Sequence, residues 1–236
     1  MVSEYPQRIV CLSDETTETL YRLGAQDLVV GVSALSTRPE AAMSKPKVSS
    51  FVTAQTEKIL DLQPDLVLTY SDLQADIAAD LIRAGLSVVS FNQRSVAEIF
   101  EAIHLLSRIV RLPERGDRLV QELRSTLEEI SAAASRFACR PRVFFEEWPD
   151  PLISGIEWVE ELIEIAGGDP VFPELRRRGL AADRTVTQED VAKRSPDVIV
   201  ASWCGKPFDR DSVVNRSAWS EVPAVREGRV FEIESS

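Results

Sequence analysis

Two stretches of this chain follow one pattern. Glu57-x-Ile59 leads into Pro64-Asp65-Leu66-Val67-Leu68, and Glu189-x-Val191 leads into Pro196-Asp197-Val198-Ile199-Val200. The glutamate stands seven residues before the proline in both. Each unit also follows an apolar opening run at nearly the same distance, 49 residues from Arg8 to Glu57 and 47 from Arg142 to Glu189. A short helix that stops at Pro-Asp and re-enters as an apolar run is a common route into a parallel strand, so either copy alone says little. The matched offsets favour a structural repeat, which predicts two similar lobes with a cleft between them.

The rest of the chain fits that frame. Arg8 to Leu12, Leu28 to Ser33, Leu66 to Tyr70 and Val88 to Phe91 read as strands. They alternate with helical patterns after Ser13, over Glu57 to Leu62, over Leu73 to Ala84 and from a Ser95/Glu98 capping box onward. Residues 34 to 56 read as irregular. In the second half Val143 to Glu147, Val198 to Ser202 and Val230 to Ile233 are strands, and Glu157 to Ala166 and Glu189 to Arg194 are helices. Strands alternating with helices predict α/β lobes with parallel sheets.

Between the halves lies one long helical stretch, Leu112 to Phe137. Pro113 suits its first turn. Leu119, Leu123, Leu127, Ile130, Ala134 and Phe137 recur at helical spacing. At about 1.5 Å per residue it spans about 37 Å, the width of a small domain. The expected organisation is a Rossmann-like lobe over 1–111, a backbone helix over 112–138 and a second Rossmann-like lobe over 139–236.

Composition narrows the chemistry. A formal net charge of −11 argues against nucleic acid and anionic membrane as partners. A single histidine, His104, nearly removes multi-histidine metal sites. Cys11, Cys139 and Cys204 form no CxxC pair. A nucleophile–base pair and a glycine-rich phosphate loop are also missing, so no catalytic residue is expected and the chain is read as a non-enzyme. Cys11, Cys204, Asp14 and Glu146 leave a metal sensor as a minor alternative. The first residues carry no basic and apolar leader pattern, and no apolar run reaches the roughly 18 residues of a membrane span. Read as it stands, the sequence is cytoplasmic; with a leader removed it would be periplasmic.

Ligands of open α/β sheets bind beyond the carboxyl ends of the strands. Those ends carry Ser13, Asp14 and Glu15; Tyr70 and Asp72; Asn92; Glu146 and Trp148; and Trp203, with Phe51 in the irregular loop. The set mixes aromatic and polar groups, as a site for a large, partly apolar, hydrogen-bonding ligand should.

The chain resembles the substrate-binding proteins of ABC importers that have a rigid helical backbone, the class that binds cobalamin, siderophores and haem. It is most similar to the cobalamin (vitamin B12)-binding branch. The likeness rests on Arg8-Ile9-Val10-Cys11-Leu12-Ser13 with Thr17-Glu18, on Val30-Gly31-Val32-Ser33, on Lys47-Val48-Ser49, and on Glu57-Lys58-Ile59 with Pro64-Asp65-Leu66-Val67. In the second half it rests on Ser154-Gly155, Ala166-Gly167-Gly168, Val186-Thr187-x-Glu189 and Ser195-Pro196-Asp197. The resemblance implies a monomeric, non-catalytic protein with no resident cofactor or metal. It implies that cobalamin or a related corrinoid is the carried ligand, and that an ABC permease with its ATPase is the partner. It implies that Glu57 and Glu189 dock onto permease arginines, and that Phe51, Tyr70 and Trp148 pack on the corrin. A siderophore or haem carrier of the same fold, and a corrinoid chaperone or sensor without a permease, are the alternatives. Glu146-Glu147-Trp148-Pro149 and Trp203-Cys204-Gly205-Lys206 depart from the cobalamin pattern. The family's usual last helix has no counterpart before Ser236.

Overall fold

The computed structural model describes residues 5–50 and 52–235. They fall into two compact units. The first comprises residues 5–50, 52–93 and 97–123, and the second comprises 94–96 and 124–235.

The first unit is a five-stranded parallel sheet: β1 (Ile9–Cys11), β2 (Val29–Ser33), β3 (Lys47–Ser49), β4 (Leu66–Tyr70) and β5 (Val88–Phe91), in the order β3-β2-β1-β4-β5. Its strands are short apolar runs, and Ile9, Val10, Val32, Val67 and Leu68 are fully buried. That is the pattern of a parallel sheet covered on both faces. Helix α1 (Asp14–Arg22) opens on Ser13 as its N-cap. Helix α2 (Thr56–Asp61) buries Ile59, α3 (Ala75–Arg83) buries Leu81, and α4 (Val96–Ile109) buries Phe100, Ile103 and Leu106.

The expectation of an irregular stretch over residues 34–56 is corrected here. It holds β3, paired in parallel with β2, and a 3-10 turn at Glu40–Ser44. A three-residue strand with one apolar side chain shows no periodicity to read.

Helix α5 runs Pro113–Ala134. Its apolar stripe is buried only over its first half, through Gly116, Leu119 and Val120. Ile130 and Phe137, expected on the same buried face, are exposed. Gly116 is required by a close crossing, since a Cβ there would collide with the Ser107 side chain of α4.

The second unit is a mixed sheet built from β6 (Arg142–Pro149), β7 (Leu152–Ser154), β8 (Asp169–Pro170), β9 (Val198–Ala201) and β10 (Val230–Glu232). The order is β10-β9-β6-β7, with β8 also on β6. Strand β7 is antiparallel to β6, a hairpin the alternating pattern did not announce. Helices α6 (Glu157–Ile165) and α7 (Gln188–Arg194) match expectation, and α7 opens on a Thr187/Asp190 capping box. The short α8 (Arg210–Val214) and α9 (Pro223–Arg226) were not expected. The core centres on Phe144, whose ring meets Phe172 and Trp219 edge-on at 5.8 and 6.0 Å. At the outer strand β10, the Arg210 side chain donates to the carbonyls of Val230 and Gly228.

The sequence repeat is a structural repeat. In the first unit the Asp65 carboxylate accepts the Arg8 backbone N–H at 3.0 Å, and Arg8 Nε donates back to the Leu62 carbonyl at the end of α2. In the second unit Asp197 accepts the Arg142 N–H at 2.8 Å, and the Arg142 guanidinium donates to the Arg194 carbonyl at the end of α7. Gln63 and Ser195, just before the two prolines, both take the left-handed conformation at φ 47°. The clip registers β4 on β1 and β9 on β6 (Ile9 opposite Leu66, Val143 opposite Val198).

Asp197→Ala should lower unfolding free energy by about 1–2 kcal/mol, the scale of hydrogen bonds to a charged group, read by urea denaturation at pH 7. The Arg142 backbone N–H and, more weakly, its guanidinium hold the Asp197 carboxyl below the usual carboxylate range. That stabilisation is complete above the unfolded carboxylate range and is lost as pH falls through the lower folded value. The gap between variant and wild type should therefore close in acid.

Candidate functional site

In an open α/β sheet the ligand edge lies where the strand order reverses. In the first unit that point falls between β1 and β4, and in the second between β6 and β9. The aspartate clips therefore fix the amino ends of the same strand pairs whose carboxyl ends form the candidate site.

In the first unit, β1, β4 and β5 are adjacent, so Ser13, Asp14, Glu15, Tyr70, Asp72 and Asn92 lie along one edge. Ser13 is buried and spends its hydroxyl as the α1 cap, with Thr16 as partner. Asp14 is half-buried and accepts from the Ser36 hydroxyl at 3.0 Å. Burial pushes its carboxyl up to about 6, against the opposing pull of Ser36 and the more distant Lys47 and Arg38. Glu15, Asp72 and Asn92 are exposed, and Tyr70 is half-buried. A residue the sequence reading missed ties this edge together. The Gln74 side chain accepts the Tyr70 N–H at 2.9 Å and donates to the Leu12 carbonyl at 3.0 Å, stapling the ends of β4 and β1. Ser36 was also missed. Neither stands in a motif, and only the fold reveals what they reach. Beside this edge Glu15, Thr16, Phe91, Gln93 and Ile103 line a small hollow, far too small for a tetrapyrrole. Phe51 lies outside the described residues.

In the second unit the residues divide. Glu146 and Glu147 are consecutive on β6, yet each meets a different arginine. Glu146 is fully buried and held by both arms of Arg216 at 2.6 and 2.8 Å, with Trp203 Nε1 donating at 3.2 Å. Glu147 takes both arms of the buried Arg184 at 2.6 and 3.0 Å. Arg184 also donates to the Ser154 carbonyl. Glu146 and Trp203, expected among the ligand contacts, are thus turned inward. The carboxylate is consumed by an ion pair, and the indole, 3% exposed, belongs to the core. The sequence carries no signal that Arg184 and Arg216 are their partners, because both lie in stretches without periodicity. Trp148 remains half-buried at the end of β6, its Nε1 donating to the Asp150 carbonyl at 2.9 Å.

The metal-site alternative is not assembled. Cys11 is fully buried within β1, and burial pushes its thiol up to about 12, whereas a ligating cysteine must ionise. Among the described residues no group of three His, Cys, Asp or Glu side chains is placed to hold a metal ion. None of the described helices is long and apolar enough to cross a membrane.

Glu57 and Glu189 occupy the same place in the repeat. Each is exposed in the first turn of the helix that enters the second strand of the switch-point pair. Among the described residues neither carboxylate is taken by an ion pair.

Comparison with known proteins decides the family. The model of the periplasmic binding protein family matches residues 9–236. The chain belongs to that family. It is 30% identical to an ABC transporter substrate-binding lipoprotein of Bacillus subtilis, over 99% of this chain and 74% of the relative. It is similar to the crystal structure of a periplasmic vitamin B12-binding protein of Vibrio cholerae, with a TM-score of 0.76 and 25% identity, covering 97% of this chain and 88% of that one. A periplasmic haem-binding protein of Pseudomonas aeruginosa superposes with a TM-score of 0.82 at 20% identity, covering 97% and 84%. That last likeness establishes the fold alone.

Two stability tests follow from these geometries. Arg216→Ala strands a buried carboxylate and should cost about 3–5 kcal/mol, while Glu146→Leu combined with Arg216→Met should recover most of it; chemical denaturation of the three proteins checks this. Asp14 titrates higher folded than unfolded, so the folded state loses stability as pH rises through about 6. Asp14→Asn keeps an acceptor for Ser36 but no longer ionises. It should be more stable than wild type at pH 8, by on the order of 1 kcal/mol, and equal to it near pH 4.

Proposed function

We propose that this ABC-type substrate-binding protein carries a large tetrapyrrole chelate, and that the chelate is cobalamin or a related corrinoid. The observation that carries the reading is the placement of one aromatic side chain beside each switch point. Tyr70 ends β4 and Trp148 lies one residue from the end of β6; each is half-buried, Trp148 packing in part on the core of its unit. A planar macrocycle presents apolar faces, and aromatic rings stack on them. Along the same sheet edge as Tyr70 stand Asp14, Asp72 and Asn92, acceptors and donors suited to the amide side chains that rim a corrin. The similarity to a protein named for vitamin B12 binding supports the same choice.

Haem is the second reading. Tyr70 favours it, since a tyrosine phenolate is one of the axial ligands used for haem iron. The acidic groups beside it favour the corrinoid instead, because haem brings carboxylates of its own.

Delivery to a permease is the other half of the proposal. One exposed glutamate per unit, at matched positions, suits a permease that presents basic side chains.

Titration with cobalamin and with cobinamide, followed by tryptophan quenching and the corrin absorbance, should show saturable binding of at least one of them. Tyr70→Ala and Trp148→Ala should each weaken it about tenfold, the scale of a lost aromatic contact. Haem is titrated in parallel. A change in the Soret band lost in Tyr70→Phe, with no corrinoid response, would replace the corrinoid by haem. Silence toward all three at tens of micromolar would remove the tetrapyrrole reading. The double variant Glu57→Ala, Glu189→Ala should keep wild-type ligand affinity while no longer stimulating the ATPase of the cognate transporter.

A further inference from the structure

The motif Trp203-Cys204-Gly205-Lys206 departs from the cobalamin pattern, and the docking of aromatic faces does not use it. Its structure gives it a distinct task. Gly205 takes the left-handed region at φ 68°, which turns the chain back on itself just past β9. The turn closes with the Lys206 N–H directed at the Trp203 carbonyl at 3.4 Å. It brings the Lys206 ammonium over two indoles at once, 5.7 Å from the Trp148 ring centre and 5.2 Å from that of Trp203. Trp203 is fixed from behind by Phe208, at 5.1 Å edge-on, and by its hydrogen bond to Glu146.

Both indole N–H groups are already spent, one on the Asp150 carbonyl and the other on Glu146. Trp203 is buried and Trp148 half-buried, and the polar group presented at this corner is the ammonium. Lys206 is exposed, and among the described residues no carboxylate lies within ion-pair distance of it. In a chain of net charge −11, this cation is held over two aromatic rings at the switch-point end of β6 and β9. Cation–π contact orients an ammonium without neutralising its charge. A free lysine would sweep a wide arc, whereas this one is pre-oriented.

We propose that Lys206, pinned over Trp148 and Trp203, is a specificity-determining contact for an anionic group on the ligand. The inference rests on the tetrapyrrole reading above and sharpens it. While one edge of the macrocycle packs on Trp148, Lys206 meets a negative group projecting from its rim. Two sources share that chemistry: the phosphodiester of a complete, nucleotide-bearing corrinoid, and the propionate carboxylate of a porphyrin. A corrinoid that lacks the nucleotide loop offers no such anion.

The test compares cobalamin, cobinamide and haem on wild type, Lys206→Gln and Lys206→Arg, each first shown to keep the wild-type melting temperature. If the phosphodiester is the partner, wild type should prefer cobalamin to cobinamide. Lys206→Gln should then lose about tenfold in affinity for cobalamin and little for cobinamide, and Lys206→Arg should restore the preference. If the propionate is the partner, the same tenfold loss appears with haem. Rising salt should erode the wild-type affinity for the anionic ligand but not that of Lys206→Gln. Equal affinity of wild type and Lys206→Gln for whichever tetrapyrrole binds overturns the subsite and leaves the function intact. Failure of wild type to bind any of the three overturns the function, and the subsite with it.

Discussion

The aspartate clip is the constraint on which both units depend. Each sheet is built from strands of two to eight residues, too short to fix their own register by side-chain alternation alone. The clip does it by anchoring the entry of one strand to the entry of the next. One carboxylate takes the backbone N–H of the first strand, and the matching arginine takes the last carbonyls of the helix that feeds the second. With the amino ends locked, the carboxyl ends of the same two strands are placed. In each unit those ends carry the aromatic residue on which ligand recognition is proposed to rest. Fold and site are thus opposite ends of one device, used twice.

The second unit adds buried arginine–glutamate pairs. Glu146 and Glu147, consecutive on β6, are each met by both arms of a different arginine. A buried ion pair contributes little net stability because desolvation offsets the attraction, but it penalises every arrangement that leaves one member alone. The Glu146–Arg216 pair also stacks on Trp219, with the guanidinium 4.3 Å from the ring centre. Trp219 in turn donates to the Gln188 carbonyl at the start of α7. Strand, loop and helix are thereby held by one chain of directional contacts, and Trp203 is fixed in the same network.

The sequence was most legible where one residue type can do only one job. Ser13 as a cap, Gly167 in the left-handed turn after α6, and Pro-Asp before a strand all stand where their chemistry placed them. The repeat was legible because its clip uses backbone partners at fixed offsets. What the sequence hid was long-range pairing between side chains. Glu146 and Trp203 sit at a strand end, where ligand residues belong, and nothing local distinguishes them from Trp148. The distinction comes from Arg216, 70 residues away. Likewise β3 was invisible because its place depends on β2 rather than on its own three residues. The apolar stripe of α5 was read as continuous, yet burial stops after Val120, because periodicity reports which side chains share a face and not whether anything covers them.

Strand β10 lies at the outer position of its sheet, with Phe231 and Ile233 exposed. An open strand of this kind invites a foreign chain to add to it. Here the guanidinium of Arg210 already occupies the Val230 carbonyl, one of the backbone acceptors an incoming strand would use. A single arginine of α8 thus stands in the way of strand addition at this edge.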